Sequence, residues 1–199
     1  MSREHNFQHV QNNFGKARYH QFPSMHSLKQ LLSDGTLDYL DEKIINHLMD
    51  QIIIRGYFSQ FTSKFNDFSF LIAPAYKALE GYLFQLAKDL KLPSAGNGNL
   101  VGSYYFDEEK IDAQIDILLS ELEANTGGSK QLSDYEKQDI KSRIKEMKDF
   151  LRHYRHSPAH YMGESIDTIE KAERTVMVIF AAIDNTTAIL SKAKLIQID

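Results

Sequence analysis

The chain has no cysteine among its 199 residues. Disulfide scaffolds, thiolate nucleophiles and zinc–cysteine centres are thereby excluded, and the composition is compatible with a reducing cytosol. Proline and glycine are scarce, at four and ten. The glycines cluster in PSAGNGNLVG (93–102) and NTGGS (125–129), which read as loops. No apolar run approaches the ~18–20 residues that a membrane span requires. The opening segment MSREHNFQHVQNNFGK lacks the apolar core of a signal peptide. A soluble cytoplasmic protein is the expectation. A cationic excess is lacking too, because the formal net charge is -4. Proteins that coat nucleic acid carry a basic excess, so any such activity here needs a local basic patch. Strand-type alternation and internal repeats are also missing.

What is present is ordinary core material and helical periodicity. Hydrophobic residues make up 42% and charged residues 25%, enough for one sizeable core. The expected organisation is an N-terminal arm over 1–25 and a single domain over 26–199. A first helix is expected after Pro23, capped by Ser24, over MHSLKQLLSDG. A second covers 41–61. A third runs from about Asn66 to Leu90, with Pro74 near its first turns. A fourth covers 107–125, capped by Asp107. A fifth opens at Ser133 with a capping box to Glu136 and runs to about His156. A sixth covers roughly 165–195 and is apolar in its middle (VMVIFAAI). The fold class is all-α, a bundle of about five to six helices.

The fifth helix is the most informative. With Ile140 at zero on an ideal wheel, Ile140, Ile144, Met147, Leu151 and Tyr154 fall within roughly 320° to 40°. That is an apolar seam suited to core packing or, in part, to a dimer contact. Lys137, Lys141, Lys145, Lys148, Arg152 and Arg155 fall at roughly 60° to 140°. Asp139, Glu146 and Asp149 lie on the opposite side. A solvated face supported by i,i+4 pairs would mix the signs. The segregated stripe looks more like a track for a phosphate backbone, and Lys141, Lys145, Lys148 and Arg152 are its RNA-binding candidates.

The stripe leads into LRHYRHSPAHYMG (151–163). His153, His156 and His160 have a spacing that an unbroken helix could use for zinc. Pro158 disfavours helix at Ser157, so the regular spacing fails before His160. No nearby carboxylate completes a metal set, and no cofactor is expected. The other reading pairs Arg155 with His160. A guanidinium binds phosphate and stabilises charge developing in a transition state. An imidazole with an ordinary pKa near ~6.5 exchanges protons with a ribose 2′-OH or a leaving 5′-oxygen.

Upstream, the third helix carries an apolar face centred on Ile72, Ala75, Leu79, Leu83, Leu86 and Leu90. Glu80 falls on its margin, beside Ala73, Tyr76, Phe84 and Ala87. A carboxylate there is partly buried and needs a cation or donors, from Lys77 locally or from Arg155 across the bundle. A structural ion pair and a catalytic role both fit. Asp67, near the start of this helix, reads as a first-turn acid favoured by the helix dipole.

Together these residues resemble the HEPN superfamily of ribonucleases. The resemblance lies in Arg155-His156-Ser-Pro-Ala-His160 at the end of a helix in an all-α bundle. The segment APAYKALEGYL (73–83) with Asp67 before it is similar to the C-terminal HEPN domain of RnlA-family toxins. The resemblance covers roughly residues 40–195. It implies a metal-independent RNA endonuclease and a homodimer in which two Arg/His pairs share a cleft. Cleavage would leave 2′,3′-cyclic phosphate and 5′-hydroxyl ends. It carries Arg155 and His160 over as the motif pair, Asp67 and Glu80 as supporting acids, and His156 as the polar position after the arginine. It also implies an antitoxin protein as partner and a role in phage defence. RnlA-type toxins have additional N-terminal domains, for which this chain has no counterpart beyond a short arm. The HepT branch places a tyrosine two residues after the histidine, where this chain has Met162. A non-catalytic HEPN-like module that dimerises or docks a partner is the alternative.

Overall fold

The structure is a computed structural model that describes residues 25–58, 65–90, 113–117, 119–120, 132–150 and 166–198. Among the described residues everything regular is helical and no strand occurs, so the all-α expectation holds. Six helices bear labels here: α1 (Met25–Lys29), α2 (Asp34–Tyr39), α3 (Glu42–Phe58), α4 (Ala73–Asp89), α5 (Asp134–Phe150) and α6 (Ile169–Lys192). A 3-10 turn over Ser69–Ile72 leads into α4. Residues 113–117 and 119–120 are helical as well. Residues 1–24 of the expected arm, with Ser24, and Asp107 lie outside the described residues, while Met25 opens α1.

The first expected helix is in fact two, because Ser33 caps a new one. Its side chain accepts from the Thr36 N–H, which serves one of the donors that a helix start leaves without an intrahelical partner. The Ser33 N–H and the hydroxyls of Ser33 and Thr36 all converge on Asp184 Oδ1, at 2.9, 2.7 and 2.7 Å. That cluster fastens α2 to α6.

The third expected helix starts later than its periodicity indicated. Residues 69–72 wind as a 3-10 turn, and α4 begins at Ala73 with Pro74 in its first turn. The backbone accounting explains the start. The Ala73 N–H goes to Phe70 O, and Pro74 has no N–H to satisfy. The Ala75 N–H donates to Gln51 Oε1 at 3.1 Å, while Gln51 Nε2 donates to Leu71 O at 2.8 Å. Gln51 is only 2% exposed, so this α3 side chain belongs to the interior and completes the helix start from outside. Gln85 does the same at the α2–α3 junction, donating to Tyr39 O and accepting from the Asp41 N–H.

The capping box of α5 forms as read. Ser133 N–H donates to Glu136 Oε2 at 2.9 Å, and Glu136 N–H donates to Ser133 Oγ at 3.3 Å. Helix α6 is capped by Thr168, whose side chain accepts from the Lys171 N–H. It closes in a Schellman geometry: Leu195 N–H donates to Leu190 O and Lys194 N–H to Ser191 O.

Helix α6 is the centre of the bundle, packed against α2, α4, α5 and the 3-10 turn, while α3 and α4 share the most extensive interface. Gly81 marks the close approach of that pair, since a Cβ there would stand 3.0 Å from Ile44 Cγ1. Leu28, Leu48, Ile72, Leu79, Phe180 and Ile183 are among the side chains withdrawn completely from solvent. Each such burial contributes about 1.5–3 kcal/mol. By length and composition alone, α6 could cross a membrane, with half of its apolar window buried inside the protein. The expectation that nothing in the chain reaches that length and hydropathy is corrected for this helix. Its apolar content follows from being packed against several neighbours.

Candidate functional site

Glu80 stands where the wheel put it. Ile72, Ala75, Leu79, Leu83, Leu86 and Leu90 are all buried, and Glu80 on their margin is partly buried. Of its expected neighbours, Ala87 is buried, Tyr76 partly so, and Ala73 and Phe84 are exposed. Glu80 is among the residues that have an interaction in the fold. Lys77, the local cation expected for it, is exposed and has no acid partner among the described residues.

Asp67 is not a first-turn acid of α4. It lies ahead of the 3-10 turn and caps it, its Oδ1 accepting from the Ser69 N–H at 2.8 Å and from the Ser69 hydroxyl. This is an Asx-type turn. The adjoining Phe68 N–H donates to Ile166 O at 2.6 Å, joining this turn to the segment that enters α6. Glu80 lies seven residues beyond the start of α4, about 10 Å along its axis. The two acids thus occupy separate stations on one continuous piece of chain.

On α5, Ile140 of the apolar seam is 1% exposed. The basic stripe is more engaged than its own helix indicated. Lys141 Nζ lies 2.5 Å from Asp116 Oδ1, and the lysine side chain is 16% exposed against 59% for the aspartate. The acid comes from the neighbouring helical segment, which a single-helix wheel does not contain. Lys137 and Lys145 are partly buried and have interactions of their own. On the other flank Arg143 bridges Asp139 at 3.5 Å and Glu146 at 3.2 Å. Arg152, His153, Arg155, His156 and His160, with the side chains of Ile144, Met147 and Lys148, lie outside the described residues.

Sequence reading also missed a partly buried ion pair between α3 and α6. Arg55 Nε donates to Glu173 Oε1 at 3.0 Å, linking the last turn of α3 to α6. The pair borders a cavity of about 20 Å³ with Gln51, Leu71 and Val176, room for about one water. A second cavity of about 60 Å³ lies between α5 and the end of α6, beside Glu136, Asp139 and Lys192. Neither has room for a nucleotide. The signal for Arg55 was its place in a helix's last turn, where a cation is favoured, but its partner is 118 positions away. Among the described residues no three His, Cys, Asp or Glu side chains are grouped to hold a metal.

Two tyrosines have displaced titration. Burial pushes Tyr39 well above the ordinary tyrosine range, and its hydrogen bond to Asp89 at 2.7 Å pushes the same way. Burial also raises Tyr82. The Tyr82 hydroxyl lies 3.0 Å from Thr187 Oγ1. Since Thr187 donates its own proton to Ile183 O, Tyr82 is the donor of that pair. Both tyrosines are structural, locking the α2–α4–α6 core.

In comparisons with protein families, curated proteins and solved structures, nothing matches this chain.

Proposed function

We propose that the chain is a metal-independent RNA endonuclease of the HEPN type, acting in the cytoplasm as a homodimer restrained by an antitoxin partner. The observation that carries the reading is Glu80. It is partly buried and has an interaction on the margin of α4, while Lys77 beside it has no acid partner among the described residues. That supports Arg155 as the cation Glu80 serves, so that the acid orients the guanidinium. The capped start of α5 supports a continuous helix leading toward the motif, since Phe150 lies five residues before Arg155.

In this reading Arg155 binds the scissile phosphate and stabilises its developing charge. His160 exchanges the proton between the 2′-hydroxyl that attacks phosphorus and the 5′-oxygen that leaves. The products are a 2′,3′-cyclic phosphate and a 5′-hydroxyl. His156, Lys145, Lys148 and Arg152 hold the adjoining backbone. Asp67 acts at one remove, by fixing the turn that starts α4.

RNA cleavage by the purified protein in excess EDTA tests this, with end-group analysis. Wild type should yield cyclic-phosphate ends and His160→Ala none. Arg155→Ala should lose about 10²–10³-fold in rate, as loss of a charge-stabilising donor does, and Arg152→Ala much less. Equal losses at the two arginines, or cleavage by His160→Ala, would refute the assignment. The Lys141–Asp116 pair favours a second reading, a partner-binding module whose stripe is packing surface. It predicts no cleavage by any of these proteins.

A further inference from the structure

The solvent side of α4 is not a neutral face. With Lys77 at zero on the wheel, Phe84 and Lys88 fall within about 20° and Ala73 within about 40°. All four are exposed, Phe84 to 48%. At the N-terminal end Phe70 is 42% exposed, with the Phe65 ring edge-on to it at a centroid distance of 5.2 Å. Lys77 and Lys88 have no acid partner among the described residues. The acids of this helix are turned aside. Glu80 stands about 60° from the stripe and is partly buried. Asp89 stands about 120° away and accepts the Tyr39 hydroxyl at 2.7 Å. The stripe is thus cation, ring, cation, with a second ring ahead of it.

This composition discriminates between occupants. A second copy docking by apolar contact would need a wide greasy face, and here lysines stand on both sides of one phenylalanine. A cationic partner is repelled. An anionic chain that offers flat apolar groups matches both components: phosphates to the lysines, bases to the rings. The bases must be unpaired, because a duplex hides their faces in its own stack. We infer that the exposed face of α4 is a platform for single-stranded RNA, with Phe84 and Phe70 stacking bases and Lys77 and Lys88 holding phosphates. The inference rests on the ribonuclease reading above and gives the same substrate a second surface. Lys77 and Lys88 are about 16 Å apart along the axis, and Glu80 borders the stripe between them. A strand lying along α4 therefore passes the acid assigned to Arg155.

The test separates binding from cleavage. Binding is measured by fluorescence anisotropy with a 2′-O-methyl RNA oligonucleotide, which cannot be cut by 2′-hydroxyl attack. Ordinary RNA is assayed for cleavage in EDTA alongside. Phe84→Ala should weaken binding about tenfold and Phe84→Tyr should restore it, because any ring can stack. Replacing both Lys77 and Lys88 by Gln should flatten the salt dependence of log K by about 1.4, at about 0.7 per single-strand phosphate contact. Wild-type affinity and salt slope in these variants would overturn the platform, even if the enzyme cleaves RNA. The stated effects without cleavage by any protein would keep the platform and remove the ribonuclease reading. Wild type that binds no RNA overturns the platform outright. So does a Phe84→Ala protein that becomes monomeric by light scattering while each protomer binds RNA normally, since the face then holds a second copy.

Discussion

Gln51 is a polar residue that a hydrophobicity pattern cannot place, yet it decides where α4 begins. Its amide supplies one donor and one acceptor to backbone groups of the 3-10 turn and the first turn of α4. Replacing it with the similarly sized Leu leaves both groups buried and unmatched. Gln51→Leu should cost about 2–4 kcal/mol, read as a lower urea midpoint at unchanged m. Tyr39 and Tyr82 make a second residue-scale prediction. Their pKa values in the folded protein lie above the ordinary value near ~10. The native state therefore holds these protons more tightly than the unfolded chain. Their contribution is fully present below about pH 10 and is lost as pH rises toward the folded values. Urea unfolding from about pH 8 to about pH 11 should show stability falling above about pH 10. Tyr39→Phe, with one such group fewer, should show a shallower decline.

At the scale of elements, the end of α6 holds a removable cost. Lys194 adopts a φ of 60°, the left-handed conformation that favours glycine at this position of a Schellman motif. Lys194→Gly should raise stability by about 1 kcal/mol, measured as a higher thermal midpoint. The same position shows why the last helix was read three residues too long, to about 195: no glycine announces its end. The long helices were otherwise legible, because α3, α4, α5 and α6 carry a 3.6-residue apolar period and α5 announces its start with Ser133 and Glu136. The break between α1 and α2 was not. Ser33 sits inside a helical pattern, and what makes it a cap is Asp184, far along the chain. The 3-10 turn before α4 was hidden likewise, since the local sequence FSFLIAPAY reads as continuous helix and the side chain that shapes it comes from α3.

At the scale of the molecule, the bundle is organised by α6, whose apolarity on several sides reflects the helices gathered around it. The candidate site was legible where chemistry is local. Glu80 could be placed on the margin of its helix from α4 alone. Lys141 could not be understood from α5 alone, because Asp116 reaches it from a separate segment. A wheel sorts the charges of one helix and is blind to those brought by packing. The face of α4 escaped the sequence reading for a related reason. By sequence Lys77 is one of two cations open to Glu80 and Phe84 one of its apolar neighbours, and only their exposure in the fold sets them on a common solvent face.

The Ser33–Asp184 cluster joins positions 151 apart. A ribosome making this protein releases α2 long before it makes the carboxylate that receives its hydroxyls. In the nascent chain the Ser33 and Thr36 hydroxyls have each other, while Tyr39 at the far end of α2 meets Gln85 and Asp89 of α4 earlier. The two hydroxyls gain their carboxylate acceptor only when α6 emerges and packs. A translation product stopped before Asp184 would leave that cap without its carboxylate, so a helix made early receives one of its fastenings late.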